Sequence, residues 1–284
     1  MTESSGYASE EDGIDNLTVL GFSSTATTAT SQVQMGDTFS ITHDFKPSAT
    51  SALYQVDVAI TNISSAPTNL LYRRVMDWDV EPTAFHEFVT IDAGNATVIA
   101  YTSDNGFASA DPLAEGTLIS AAGSFVDSGP EDHGALFDLD FGVLAPDETR
   151  RFSLYYGAAA SEQAALDALA IVGAEAYSLG QPNTEDGPTL GTPNTFIFAL
   201  SDVSGDYTTI ATIDPLTGGL LTSADGTVSI EFPPGAVANS TTLSYTRFAS
   251  APPATANFVL AGKAFDISAA DATATWTASR NPSR

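Results

Sequence analysis

Residues 53–62, LYQVDVAITN, set Tyr54, Val56, Val58 and Ile60 in strict alternation with Gln55, Asp57, Ala59 and Thr61. Successive side chains of an extended chain point to opposite faces, so a period of two prescribes a strand with one face on a core and the other toward water. The same period runs through TRRFSLYYG (149–157), where Phe152, Leu154 and Tyr156 share a face. It recurs in NLTVLGF, DTFSITHDF, FVTI, ATVIAYT, GALFDLDFGVL and NTFIFAL. Between these runs lie clusters such as SDNGFASADP and VDSGPEDHG. Gly, Pro, Asn, Asp and Ser supply the backbone conformations and local hydrogen bonds that turns require. The expected fold class is therefore all-β, an antiparallel β-sandwich.

One segment breaks the period. ASEQAALDALAIVG (160–173) is rich in alanine, offers Ser161 as an N-cap, repeats Leu166, Leu169 and Val172 at helical spacing and ends at Gly173. It is expected to form a single helix packed on the sheets. Residues 1–15 are polar and acidic and are expected to be a flexible tail. A large β-sandwich domain is expected over 16–203 and a small β-rich domain over 204–284, where Val228, Ile230 and Phe232 again alternate. The small domain stops at TWTASRNPSR as a fragment would, so it is expected to be incomplete.

Composition narrows the function classes. The chain carries 35 acidic residues against 9 basic ones, a net charge of −26. A nucleic-acid backbone is repelled by such a field, so no nucleic-acid partner is expected. No apolar run approaches the ~18 residues of a membrane helix, and no membrane insertion is expected. The acidic start shows neither the basic region nor the apolar stretch of a signal peptide, so the chain is expected to be either cytoplasmic or a mature or truncated product whose leader is missing. With no cysteine, thiolate metal sites, disulfides and cysteine nucleophiles are all excluded.

GTVSIEFPPGAVANSTTLSY (226–245) resembles the strand–turn motif of the β-sandwich domain of zonula-occludens and netrin-receptor proteins, also found in exported bacterial proteins. Pro233, Pro234, Gly235 and Ala236 make the turn, and Thr242, Leu243 and Tyr245 start the next strand. LYRRVMDWDVEPTAF, YTSDNGFASADPL and FGVLAPDETRRFSLYYGAA are similar to segments of long exported bacterial proteins. The resemblances imply an extracellular or cell-surface setting and an interaction or structural role, with no reaction attached.

RRVMDWDVE (73–81) concentrates the scarce positive charge beside three carboxylates. On a strand, Asp77, Asp79 and Glu81 share one face, with carboxylates ~6.6 Å apart. That spacing suits a Ca²⁺ site completed by further oxygens. The competing reading starts from the arginines. Arg73, Arg74, Arg150 and Arg151 come as two pairs, with no Lys or Arg at 75–149 or 152–246. Arg150 shares its face with Phe152 and Leu154, where a guanidinium needs a partner. A buried ion-pair network of these arginines with Asp77 and Asp79 is the favoured reading. His133, beside Asp132 and ahead of Asp138 and Asp140, is a candidate loop metal ligand or general base, but a solvent-facing loop histidine is the favoured reading. Tyr101 and Phe107 flank the SDNG loop as candidate sugar platforms. The expected function is a non-catalytic structural, adhesive or scaffold module with other surface proteins or glycans as partners. The alternative is a glycan- or calcium-binding accessory module, and a carboxylate-based hydrolase is the third reading.

Overall fold

The alternating segments fold as strands, and every strand pairing is antiparallel. The computed structural model describes residues 4–9, 13–94, 96–203, 208–222, 229–247 and 265–269. The chain divides into two units, Met1–Ser204 and Gly205–Arg284. In the first unit the strands are β1 (Tyr7–Ser9), β2 (Gly13–Asp15), β3 (Leu17–Ser24), β4 (Ala29–Met35), β5 (Phe39–Pro47), β6 (Leu53–Asn62) and β7 (Thr68–Asp77). Next come β8 (Glu87–Asp92), β9 (Ile99–Ser103), β10 (Phe125–Glu131), β11 (Gly134–Leu144) and β12 (Thr149–Ala159). Helix α1 (Glu162–Ile171), β13 (Ala176–Gln181), the short helix α2 (Gly187–Leu190) and β14 (Thr195–Ser201) close the unit. The fold is all-β, with only these two helical segments among the described residues.

Nine strands form one sheet in the order β10-β8-β13-β14-β12-β6-β5-β4-β3, and three form another, β7-β11-β9. Their facing side chains make the main core. Val56, Val58 and Ile60 of β6, Phe152 and Leu154 of β12 and Phe198 of β14 are buried against Leu70, Phe137 and Phe141 from the smaller sheet. Tyr72 meets the Phe152 ring edge-on at 5.0 Å, a preferred aromatic geometry. The alternation read in LYQVDVAITN thus decides which way β6 faces, and only Tyr54, at the strand start, remains exposed.

On the opposite face of the large sheet, Ala165, Ala168 and Leu169 of α1 pack on Leu53, Tyr155, Leu179 and Ile197. Ser161 caps the helix by accepting from the Ala164 N–H, and Gly173 follows with φ +63, a left-handed conformation that glycine adopts without steric cost. Part of the expected tail is ordered instead. Tyr7–Ser9 and Gly13–Asp15 pair as a two-stranded sheet, and Asn16 Nδ2 donates to the Ser5 carbonyl.

In the second unit, β15 (Thr208–Ile213), β18 (Thr241–Arg247) and β19 (Phe265–Ala269) make one sheet, and β16 (Gly219–Thr222) and β17 (Ser229–Phe232) another. Ile213, Leu221, Leu243 and Tyr245 form its core, and Ile230 and Phe232 pack against it. Val228 and Lys263 lie outside the described residues.

Candidate metal centre

RRVMDWDVE does not remain a strand throughout. β7 ends at Asp77, and the chain turns away through Trp78, Asp79 and Val80. Trp78 and Val80 bury their side chains, while Asp77, Asp79 and Glu81 are all exposed. Exposure still alternates through Glu81 after the strand has ended, so the three carboxylates share the exposed side without converging on one ligand position. None of them belongs to the cluster of metal-ligating groups found among the described residues. The negative charge here is nevertheless crowded, since burial, Asp79 and Asp132 raise the Asp77 carboxyl above its ordinary range.

Arg73 and Arg150 are buried as expected and Arg74 is half-buried, but their partners are not Asp77 and Asp79. Arg73 faces Asp138, its cross-strand partner on β11, and makes a bidentate pair of 2.5 Å and 2.8 Å. Its remaining donors bond the carbonyls of Ser109, Asp111 and Ala114, so all five N–H groups are used. Arg150 donates to the carbonyls of Asp202 and Val203 and lies 4.6 Å from the centre of the Phe141 ring. Arg74 bonds the Tyr156 hydroxyl. Arg151 is exposed. The network with Asp77 and Asp79 is thus replaced by separate, local solutions.

A different set of ligands converges where the chain crosses from the large sheet to the small one. Glu131 ends β10 at the edge of the large sheet, opposite Glu87, and Gly134 opens β11 in the centre of the small sheet. His133 sits in that corner, fully buried. Asp104, just past the end of β9, is also fully buried. Two glycines allow this approach. A Cβ on Gly134 would lie 2.0 Å from the Met76 carbonyl oxygen, and the Gly106 Cα is 2.8 Å from the same point. One potential ligand atom from each of Asp104, Glu131 and His133 lies within 4.8 Å of the others.

The hydrogen bonds define the imidazole. His133 Nε2 is 3.1 Å from the Glu87 carbonyl, which only accepts, so Nε2 carries the proton. In the neutral ring Nδ1 then presents a lone pair, and it lies 3.5 Å from Asp104 Oδ2 with no hydrogen-bond partner. Asp104 is itself fixed by the N–H groups of Ile119, Ser120 and Ala121. A lone pair and a carboxylate facing each other in a buried site require a positive charge between them, either a proton on Nδ1 or a cation. Glu131, held by the Ser120 hydroxyl, supplies a second carboxylate. The arrangement repeats the outer-shell pattern of metal-binding histidines, whose free N–H is anchored on a carbonyl. Glu87 stands beside it. Burial pushes its carboxyl up to about 7, against the favourable His133 N–H, and the charges of Asp132 and Asp77 act in the same direction as burial.

The SDNG loop contributes Asp104 to this corner. Gly116 sits on the Tyr101 ring, where a Cβ would come within 2.5 Å, and Phe107 is exposed on its own. The sequence offers His133 as a candidate ligand but favours a solvent-facing loop position, and the structure corrects this by burying the side chain completely. Asp104 had no local signal, because it reaches the corner only through the pairing of β9 with β11. Comparisons with known protein families, curated proteins and solved structures return no match.

Proposed function

We propose that this protein is a non-catalytic structural or adhesive module acting outside the cell, and that Asp104, Glu131 and His133 hold a divalent metal ion tying its two main sheets together. The observation that carries the metal reading is the buried Nδ1 lone pair of His133 facing the Asp104 carboxylate. Two of the three ligands, Asp104 and His133, are fully buried while Glu131 lies at the surface, so the site is closed on its inner side, which supports a structural rather than a catalytic role. One imidazole nitrogen with two carboxylates favours Zn²⁺ or a similar transition-metal ion over Ca²⁺, which prefers six to eight oxygens. The extracellular setting draws its support from the acidic, lysine-poor composition and from the resemblance to exported bacterial proteins.

The test is metal titration of chelator-treated protein, read by calorimetry and thermal melting. Zn²⁺ at a hundredfold excess over Kd should stabilise the wild type by about 2.7 kcal/mol. His133→Gln and Asp104→Asn should lose that increment while remaining folded. Absence of stoichiometric binding by Zn²⁺, Mn²⁺ or Ca²⁺ would leave the corner as a protonated His–Asp pair and defeat the metal reading.

A further inference from the structure

The two facing sheets are unequal, and the excess is apolar. Register places Leu17, Val19 and Phe22 of β3 on the same face as Val33 and Met35 of β4, continuous with buried Ile60 on β6. A bulge between Val19 and Gly21 returns Phe22 to that face. The small sheet covers β6 and β12 through Leu70 and Tyr72, but it ends at β7. Beyond β7 the small sheet has no further strand over the inner face of β5, β4 and β3, where Gly6 packs on Leu17 and Met35. Val19 and Phe22 are left 61% and 69% exposed. Contiguous apolar surface of this kind marks an interaction site.

A groove of about 1280 Å³ runs beside the free edge of β7. Residues 64–77 form one wall without interruption, Val33, Met35 and Ile41 contribute to the floor, and residues 4–9 form part of the far side. There Gly6 packs so closely on Leu17 and Met35 that a Cβ would come within 2.8 Å of each. β7 is bonded to β11 on one side only. An antiparallel strand directs every second residue's N–H and C=O outward, so roughly five residues of this edge offer an open ladder. The edge carries neither lysine nor proline, two of the devices that normally block such pairing.

Arg74 adds a chemical preference. Its side chain enters the space between the sheets, with the guanidinium carbon 5.7 Å from the Tyr156 ring centre. Nη2 bonds the Tyr156 hydroxyl, while Nε is buried with no hydrogen-bond partner. No carboxylate pairs with it among the described residues. His43, on the groove floor, adds no compensating negative charge.

We propose that the edge of β7 accepts a strand from a partner polypeptide, an extended segment with alternating apolar side chains and one carboxylate that meets Arg74. The linear row of backbone groups selects an extended peptide over a compact small molecule, because only a peptide matches donors and acceptors at strand spacing. Its apolar side chains would cover the β5–β3 face. The inference is independent of the metal centre.

The experiment is selection of ten-residue peptides with alternating apolar positions and one variable central residue, on the intact chain. Enriched peptides are expected to carry Asp or Glu at the variable position. Changing that residue to Asn or Gln should weaken binding at least tenfold, and Arg74→Met should erase the preference. If Arg74→Met fails to fold, the paired peptides on wild-type protein still decide the point. N-methylation of one alternate set of peptide amides should abolish binding while the other set is tolerated, and Thr68–Asp77 amides should gain exchange protection. No enrichment, or binding indifferent to both methylated sets, would overturn the proposal. So would an anionic amphiphile such as oleate binding through Arg74 without protecting β7, or dimerisation of the chain itself through this edge.

Discussion

Arg73 and Arg74 are consecutive on β7, and the two faces of that strand treat a guanidinium in opposite ways. On the outer face, Arg73 meets Asp138 directly across the ladder and pins three carbonyls of the loop that follows β9. On the inner face, Arg74 meets two tyrosines, a histidine and an open groove. Burying a charge is tolerable when every donor is satisfied and costly when it is not. The difference separates an arginine whose carboxylate and carbonyl partners are all supplied by its own fold from one that meets tyrosines and no carboxylate pair among the described residues.

The comparison is broken most directly at Asp138. Asp138→Asn should cost about 3–5 kcal/mol in denaturant melts, because Arg73 remains buried without its anion. Arg73→Met should cost less than Asp138→Asn, since it removes the buried charge, and should loosen residues 109–114 to limited proteolysis. A cost under about 1 kcal/mol at Asp138 would mean the pair holds nothing together. Arg74→Met is expected to change stability by about 1 kcal/mol or less, with stabilisation an allowed sign, since apolar replacement of a poorly compensated charge is often neutral or favourable. A loss as large as that of Asp138→Asn would erase the distinction between the faces.

A smaller effect sharpens the inner-face side of the comparison. Burial, and then the charge of Arg74, lower His43 from 6.5 to about 4, against the raising effect of Asp44. A histidine depressed in the folded state binds fewer protons there than unfolded, so its neutral form contributes fully above pH 6.5. That contribution is lost as pH falls from 6.5 toward 4. Arg74→Met should move the His43 titration upward and shrink the acid loss, which imidazole NMR and melts across this window would register. Failure of the titration to move would show that Arg74 does not act on His43. Arg151→Ala, at the exposed position, should stay within about 0.5 kcal/mol.

Much of this was legible in local pattern. Period two located β6, β11 and β12 and their buried faces, and a Ser161 cap with a Gly173 stop located α1. The rationing of basic residues marked Arg73, Arg74, Arg150 and Arg151 together for a buried network, of which Arg73 and Arg150 are buried, Arg74 is half-buried and Arg151 is exposed. Their partners were not legible, because pairing depends on register between segments 65 residues apart in the case of Arg73 and Asp138. The assumption that β7 continued past Asp77 misdirected attention to Asp79 and Glu81. β1 and β2 are too short for a period to show, and β10 carries the turn-like sequence FVDSGPE with two register irregularities against β8. The candidate centre followed the same rule. His133 and Glu131 are neighbours in sequence, but Asp104 joins them through strand pairing alone.

The position of β14 has a mechanical consequence. It lies between β12 and β13, with seven register pairs on one side and five on the other, and Arg150 grips the two carbonyls at its exit. Tension drawn along β14 from residue 203 first meets that grip and then loads both ladders in shear. Rows of hydrogen bonds pulled along the strand axis must yield together, whereas bonds pulled at right angles open one at a time. A chain anchored in this way hands force to the interior of its largest sheet, where two ladders share it.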